Sequence, residues 1–348
     1  MTWITPKLDW NASTSMNAVD WNRIENNILE LYNYLNSIQY TMPVGGNPYS
    51  LSFDGVNDYV NLASSAVLNI TGDLTIEAWV YVTQTADSAI VSWNNAATTF
   101  PFHWLINYSA ASGKVRLNLS GTPYDSNTVV PLNTWVHLAA TISGSTATLY
   151  LNGVVDGTFT GIVARSSGNT FLTISKSDAQ WFKGNMDDVR IWNVARTQAQ
   201  IQANMNNYLL GDETGLVGYW KLNEGAGLLA ADATANKNNG SLVGGVSWVT
   251  SAPNKNNQDT VKNRDVKSID YLSSINRIEN NLDAIRLAFI NPVGYLGKKT
   301  WTVGKTFDFN DANRLETNVK QLYDLGFTTF QNYRYCGTQT CGEWGLIY

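Results

Sequence analysis

The sequence predicts a mainly β chain, built as a sandwich of two antiparallel sheets, with α-helical segments at both ends. Two observations predict it. Between residues 50 and 250, short alternating or apolar runs such as "LTIEAWVYV", "VRLNLS", "TWVHLAATI" and "TATLYLNGVV" are each bounded by Gly, Asn, Asp or Ser, the pattern of half-buried strands joined by tight turns. Outside that interval, "NRIENN" stands at 22–27 and again at 276–281, within segments whose apolar residues recur at three- and four-residue steps.

The N-terminal helix is predicted from its start signal. Asn17 sits at the N-cap position and Asp20 three residues on, where a carboxylate faces the free N–H groups and the positive helix end, so the helix begins near Ala18. Asp308 and Asp311 repeat the pattern and start a second helix near Phe309. The likeness is wider than six letters. "WNASTSMNAVDWNRIENNILELY" from Trp10 aligns without gaps on "WTVGKTFDFNDANRLETNVKQLY" from Trp301, and "SSINRIENNLDAIRLAF" is a shorter middle copy. Three copies at matching spacing make a repeated module. Ile24, Ile28, Leu31 and Leu35 form a narrow apolar seam in the first copy, and Ile278, Leu282 and Ile285 form one in the middle copy. About two heptads is short for a coiled coil, which favours packing of the copies on each other within one chain over a bundle between chains.

The sandwich is delimited by two linkers, "TMPVGGNPYS" at 41–50 and "TSAPNKNNQDTVKNRD" at 250–265. They divide the chain into an N-terminal helical segment, 1–44, a β domain, 45–253, and a C-terminal helical region with a short Cys-containing tail, 254–348. Inside the β domain "LNGVVDG" is a hairpin signal, since Asn-Gly supplies the positive φ angles of a tight turn.

Composition removes several classes of function. A net charge of −5 with no Lys/Arg block offers nucleic acid no electrostatic footprint. No window approaches the ~18 apolar residues of a membrane span, so no membrane insertion is expected. The opening "MTWITPKLDW" lacks the basic region and apolar run of a signal peptide, so synthesis in the cytoplasm is expected. Cys336 and Cys341 lie five apart with no histidine near, which leaves a zinc site two ligands short and a disulfide or two free thiols as the alternatives.

Five motifs in order, "LSFDGVNDYVNL", "LTIEAWV", "NTWVHLAATISGSTATLYLNGV", "FKGNMDDVRIWNVARTQAQI" and "GLVGYWKLNEGAG", resemble the laminin-G-like, concanavalin A-like jelly-roll family over about residues 48–250. The resemblance implies two curved antiparallel sheets and a role in glycan or surface recognition. Text similar to "GYWKLNEGAG" often opens such a domain, whereas here it closes it, which implies a different arrangement of edge strands. The flanking repeats resemble segments of tail proteins of phages and prophages of Gram-positive bacteria.

Hydrolase members of such sandwiches need Glu-x-Asp-x-x-Glu along one strand, so that alternation aims the acids into one cleft. No such string occurs: Glu77 is a lone strand acid, and Asp187 and Asp188 are neighbours that point to opposite faces if extended. His103 and His137 lie in strand motifs and read as structural. Related jelly rolls often carry calcium, and first and last strands often lie side by side in them, which makes Asp54, Asn57, Asp58 and Asp187 candidate ligands. Trp79, Trp135 and Trp192 fall inside strand motifs and read as core, whereas Trp93, Tyr108, Tyr124 and Trp181 stand beside polar loop residues. A partly exposed ring flanked by amides suits a sugar, the ring taking the C–H face and the amides the hydroxyls, so these four are candidate glycan contacts.

Taken together, these readings lead to the expectation of a non-enzymatic receptor-binding or adhesin component of a phage-tail-like particle, acting in a virion or an extracellular tail-like particle. Its partners are a host cell-surface glycan, other tail or baseplate proteins and further copies of itself, in a homo-oligomer. The alternatives are a purely structural tail protein whose jelly roll mediates subunit contacts and, third, a glycoside hydrolase.

Overall fold

The computed structural model of the chain describes residues 3–37, 49–62, 64–94, 102–163, 171–177, 180–255, 271–286, 294–302 and 305–334. Cys336 and Cys341 lie outside them. The chain forms two compact units, Val44–Arg277, and Met1–Pro43 with Ile278–Tyr348. Among the described residues no helix is long and apolar enough to cross a membrane.

Elements follow in chain order as α1 (Ala18–Ser37), β1 (Ser50–Asp54), β2 (Tyr59–Leu62), β3 (Leu74–Val82), β4 (Ser88–Asn94), β5 (Phe102–Asn107), β6 (Lys114–Leu119) and β7 (Thr122–Val129). Next come β8 (Trp135–Ser143), β9 (Thr146–Leu151), β10 (Val154–Thr160), β11 (Phe171–Ile174), β12 (Lys176–Ser177), β13 (Gln180–Trp181) and β14 (Lys183–Trp192). Last are α2 (Gln198–Asn204), β15 (Leu216–Trp220), β16 (Leu229–Ala230), β17 (Gly240–Val243), β18 (Ser247–Val249), α3 (Tyr271–Arg286) and α4 (Phe309–Arg334).

Two antiparallel sheets make the sandwich. The first runs β10-β9-β8-β3-β14-β1-β18 with β15 also on β14, and the second runs β16-β17-β2-β11-β4-β5-β6-β7. Strand β1 lies between β14 and the last strand, β18, and pairs with both. The closing "GYWKLNEGAG" region sends β15 to β14 beyond the end of β1, and β17 to β2 at the second sheet's edge. Period-2 alternation sorts each strand. Ile76, Ala78 and Val80 of β3 meet Phe102, Trp104 and Ile106 of β5 within one buried core between the sheets. The expected Asn-Gly turn lies at Asn152-Gly153, both with positive φ, between β9 and β10.

The other face of the first sheet is also covered. Helix α2, started by a Thr197–Gln200 capping box, sets Ile201 against Ala139 and Tyr150. Trp79 and Trp192 belong to this outer layer rather than to the inter-sheet core: the Trp79 indole N–H donates to Met205 O at 2.8 Å, and Trp192 packs with Leu209, Leu216 and Tyr219. Trp135 is half-buried beside Tyr81, ring centroids 5.7 Å apart. A strand residue next to a core residue points to the opposite sheet face, and a third layer is what buries it there. The sandwich unit reaches past the 253 boundary read from the sequence to include Lys255, whose side chain is fully buried.

In the helical unit the two complete repeats cap alike. Asn17 Oδ1 accepts from Val19 N at 2.9 Å while Asp20 Oδ2 accepts from Asn17 N at 3.0 Å. Asp308 Oδ1 accepts from Asn310 N at 2.9 Å, and Asp311 Oδ2 from Asp308 N at 3.4 Å. Ile24, Ile28, Leu31, Leu35, Ile278, Leu282 and Ile285 are all buried, as are Leu315, Val319 and Leu322 of α4.

Candidate functional site

Glu77, Asp187 and Asp188 lie inside a buried ionic layer on the outer face of the first sheet. A bulge between Asp187 and Arg190 in β14 gives Asp188 a φ of 59°, so the two aspartates do not alternate as an extended pair would. Arg190 grips Asp188 with Nε at 2.9 Å and Nη2 at 2.6 Å, and donates to the carbonyls of Asn204 and Asn207 at 3.0 and 2.7 Å, where α2 ends. Lys255 Nζ also contacts Asp188. Burial pushes the Asp188 carboxyl up, but the charges of Arg190 and Lys255 outweigh it and hold its pKa at about 2. Asp187, wholly buried, is driven well above its ordinary value by burial. Glu77 lies 3.1 Å from Arg196 and 3.4 Å from His137. Its burial is offset by the His137 hydrogen bond and the charge of Arg190, leaving its pKa lowered. None of these groups faces solvent.

The outer face of the second sheet is different in kind. Register pairs Asn61 with Thr173, Thr173 with Ser92, Ser92 with His103, and His103 with Asn118. Val60, Leu172, Trp93 and Phe102 alternate with them into the core, so a row of hydroxyl, amide and imidazole groups crosses five strands on the opposite face. The β12–β13 hairpin packs on this face. Ser177 Oγ is 2.9 Å from His103 Nδ1, and Thr173 Oγ1 donates to Lys176 O at 2.7 Å. Ser92 Oγ and Asn118 Oδ1 are buried without a hydrogen-bond partner.

Trp181 ends this hairpin. Its ring centroid is 5.9 Å from that of Tyr59, tilted 57°, and Lys176 Nζ lies 4.3 Å from the Tyr59 centroid and 5.0 Å from that of Trp181. All three side chains are half-buried, and the ammonium held against both rings fixes the pair in place. Two amides stand around it: Gln84 Nε2 donates to Trp181 O at 3.3 Å, and Gln180 Nε2 to Asp87 Oδ2 at 3.4 Å. Asp87 Oδ1 also accepts from Tyr108 N at 2.7 Å and Ser109 N at 2.9 Å. Asp87 therefore joins the backbone at Tyr108 to Gln180, the residue before Trp181.

The other two expected aromatics have structural places. Trp93 is not a loop residue: it lies in β4, 2% exposed, with its indole N–H donating to Leu68 O and its ring edge-on to Phe102 at 4.6 Å. Its polar neighbour Ser92 is aimed away from the inter-sheet core by alternation, so polarity beside Trp93 does not mean exposure of the ring. Tyr124 packs on Phe159 at 5.4 Å, and its hydroxyl accepts from Val163 N at 3.1 Å. Even Tyr108 has its hydroxyl buried. Trp181 is the expected aromatic left at an open face. Its companions Tyr59, Asn61 and Lys176 are not among the residues expected from the sequence, although "DYVNL" carries the signal, Tyr59 and Asn61 alternating with core Val60 and Leu62.

The expected calcium ligands do not converge. Asp54 Oδ1 accepts from Val56 N at 2.7 Å, Asp58 Oδ2 accepts from Asp54 N at 2.9 Å, and Asp58 Oδ1 from Gly245 N, so Asp54 and Asp58 fasten the turn that also holds Asn57. Lys183 is the residue opposite Asp54, which places Asp187 four residues, about 13 Å, farther along β14. Among the described residues no three His, Cys, Asp or Glu side chains are grouped to hold a metal ion.

Comparison with known proteins agrees with the fold. Residues 54–202 match the family model of the Concanavalin A-like lectin/glucanases superfamily. Among solved structures, a Bacteroides ovatus protein provisionally named as carbohydrate binding is 20% identical with a TM-score of 0.48, covering 59% of this chain. The present chain spans 61% of that protein's length. A heptameric SAP-like pentraxin from Limulus polyphemus is 17% identical with a TM-score of 0.37, over 44% of this chain and 80% of its own. The CBM40 of a Ruminococcus gnavus IT-sialidase, bound to α2,3-sialyllactose, is 15% identical with a TM-score of 0.36, over 43% and 95%. No curated protein matches the chain in sequence. The family match, residues 54–202, runs from the end of β1 into α2, so the likeness to concanavalin A-like domains covers that part of the sandwich.

Proposed function

We propose that the chain is a non-enzymatic carbohydrate-binding protein, the outer face of the second sheet taking a host cell-surface saccharide. The observation that carries the reading is the half-buried Trp181–Tyr59 pair with Lys176 between, set beside the polar row on the same face. A sugar offers an apolar C–H face and a rim of hydroxyls; the rings suit the first and Asn61, Gln84 and Gln180 the second. The superfamily name covers both lectins and glucanases. Burial of Glu77 and Asp188 in ion pairs, and of Asp187 beside them, favours binding over hydrolysis, since glycoside hydrolysis needs two carboxyls at the scissile bond. The polar character of this face favours saccharide binding over a purely structural contact. Any calcium would have to be drawn to the Asp54–Asp58 turn at the cost of its backbone hydrogen bonds.

The resemblance of the flanking repeats to phage and prophage tail segments supports a receptor-binding or adhesin component of a tail-like particle, beside other tail or baseplate proteins. Single shallow sites bind with millimolar to micromolar constants, roughly −4 to −8 kcal/mol, and several copies on one particle raise avidity by about 10² to 10⁴. A homo-oligomer and a weak lectin site therefore suit each other. The test is a glycan and cell-wall array probed with the intact chain and its Trp181→Ala and Tyr59→Ala variants. Saccharide signal lost in the variants supports the proposal; an array blank for the parent sinks it.

A further inference from the structure

Several cations of the sandwich are matched to acids. Arg190 and Lys255 meet Asp188 and Arg196 meets Glu77 in the buried layer, and half-buried Arg116 is paired with Asp125 at 2.6 Å. Lys176 is held differently. Its side chain is half-buried, its ammonium lies 4.3 Å from the Tyr59 ring centroid and 5.0 Å from that of Trp181, and among the described residues no carboxylate stands within ion-pair distance of it. Aromatic rings attract a cation through their quadrupole but do not neutralise its charge. The acids of the adjoining segments are engaged elsewhere. Asp58, next to Tyr59, accepts from Asp54 N and Gly245 N. Asp87, which holds Gln180, accepts from Tyr108 N and Ser109 Oγ at 2.7 Å and from Ser109 N at 2.9 Å. The backbone that presents the ammonium is pinned, since Lys176 O accepts from Thr173 Oγ1 at 2.7 Å and the next residue, Ser177, sits 2.9 Å from His103 Nδ1.

We propose that the saccharide taken by this face is an acidic one, Lys176 meeting its anionic group while Trp181 and Tyr59 take the sugar ring. This rests on the reading that the face binds a saccharide. A charge-assisted hydrogen bond from an ammonium to an anion is roughly twice as strong as one to a neutral hydroxyl, and it gains further where the rings already exclude part of the water around Nζ. A neutral sugar seated on the same rings would cover the ammonium and offer it no opposite charge, at a cost in desolvation. The class is therefore set by a positive charge that the protein itself leaves unmatched. The whole chain carries −5, so attraction of an acidic glycan is local to Lys176 rather than the property of a basic surface. A uronic or sialic acid carboxylate and the phosphate of a polyol phosphate chain both present that anionic group.

The test is an array on which oligomers of galacturonate and of N-acetylneuraminate are each printed beside their carboxyl-reduced, neutral forms, with glycerol phosphate oligomers and common neutral glycans alongside. It is probed with the intact chain and with Lys176→Gln and Lys176→Arg, the melt of each being measured. The expected result is binding to an acidic oligomer at least about tenfold tighter than to its neutral counterpart, weakening as sodium chloride is added. The preference should vanish in Lys176→Gln and persist in Lys176→Arg. Signal on the sugar acids assigns a carboxylate, and signal on glycerol phosphate alone assigns a phosphate. Equal signal on acidic and reduced forms, signal on neutral glycans alone, or a preference that survives in a folded Lys176→Gln chain overturns the proposal and leaves the saccharide reading standing. A blank array for the parent is the failure of the saccharide reading itself, and this proposal falls with it.

Discussion

Arg190 and Asp188, two residues apart in one strand, face each other across a bidentate ion pair of 2.9 and 2.6 Å, both side chains wholly buried. The bulge that makes this possible also turns the guanidinium toward the carbonyls at the end of α2, where a cation meets the negative helix terminus. Arg190→Ala leaves Asp188 and Glu77 buried with less compensation, and a loss of about 3–5 kcal/mol is expected in urea unfolding. Arg190→Lys keeps the charge but not the fork, and should still unfold earlier than the parent.

Truncation at 253 removes Lys255, the second cation on Asp188. A fragment 44–253 should therefore melt below a fragment 44–277. Equal melting temperatures would show that Lys255 adds nothing to the sandwich.

Acid should weaken the sandwich in two steps. Burial lowers the His103 pKa from 6.5 to about 4 and also lowers that of His137. A histidine held neutral by folding contributes stability that is complete above its unfolded pKa near 6.5 and lost as pH falls toward the folded value. Asp188, held at about 2, adds a second loss as pH falls below about 4 toward 2. The raised pKa of Asp187 works the other way as pH falls, so the comparison is between proteins: from pH 7 to 4, His103→Gln should lose less unfolding free energy than the parent. An unchanged slope in the variant would remove His103 as a cause.

Trp93 and Trp181 should separate folding from binding. Trp93→Ala opens a core cavity and should cost about 3–5 kcal/mol in unfolding. Trp181→Ala removes a half-exposed ring and should cost under about 1 kcal/mol.

Calcium is expected to have little effect on the melt, because the Asp54 and Asp58 carboxylates already accept backbone N–H groups. Differential scanning calorimetry with excess calcium and with chelator checks this. A rise of several degrees in calcium alone would reinstate the turn as a metal site.

Strand runs such as "LTIEAWVYV" were legible because alternation and flanking turn residues are local signals, and the caps at Asn17 and Asp308 because a side chain reaches its own helix end. The third layer was not legible. Trp79, Trp192 and Glu77 occupy outward strand positions, and only a segment far along the chain, running from Arg196 through α2 to Tyr219, buries them. The site divided in the same way: polar text around Trp93 suggested exposure although its described neighbour Ser92 sits on the opposite face, while Trp181 was legible and its partner Tyr59 was not, since their meeting depends on a hairpin folding back over β2.

The central claim, a saccharide site on the outer face of the second sheet, is tested most directly by titration calorimetry of the intact chain and of Trp181→Ala with the saccharide that the array selects. Binding weaker by about tenfold or more, roughly 1.4 kcal/mol, with an unchanged melt is the predicted result. Equal binding constants for the two proteins would contradict the account.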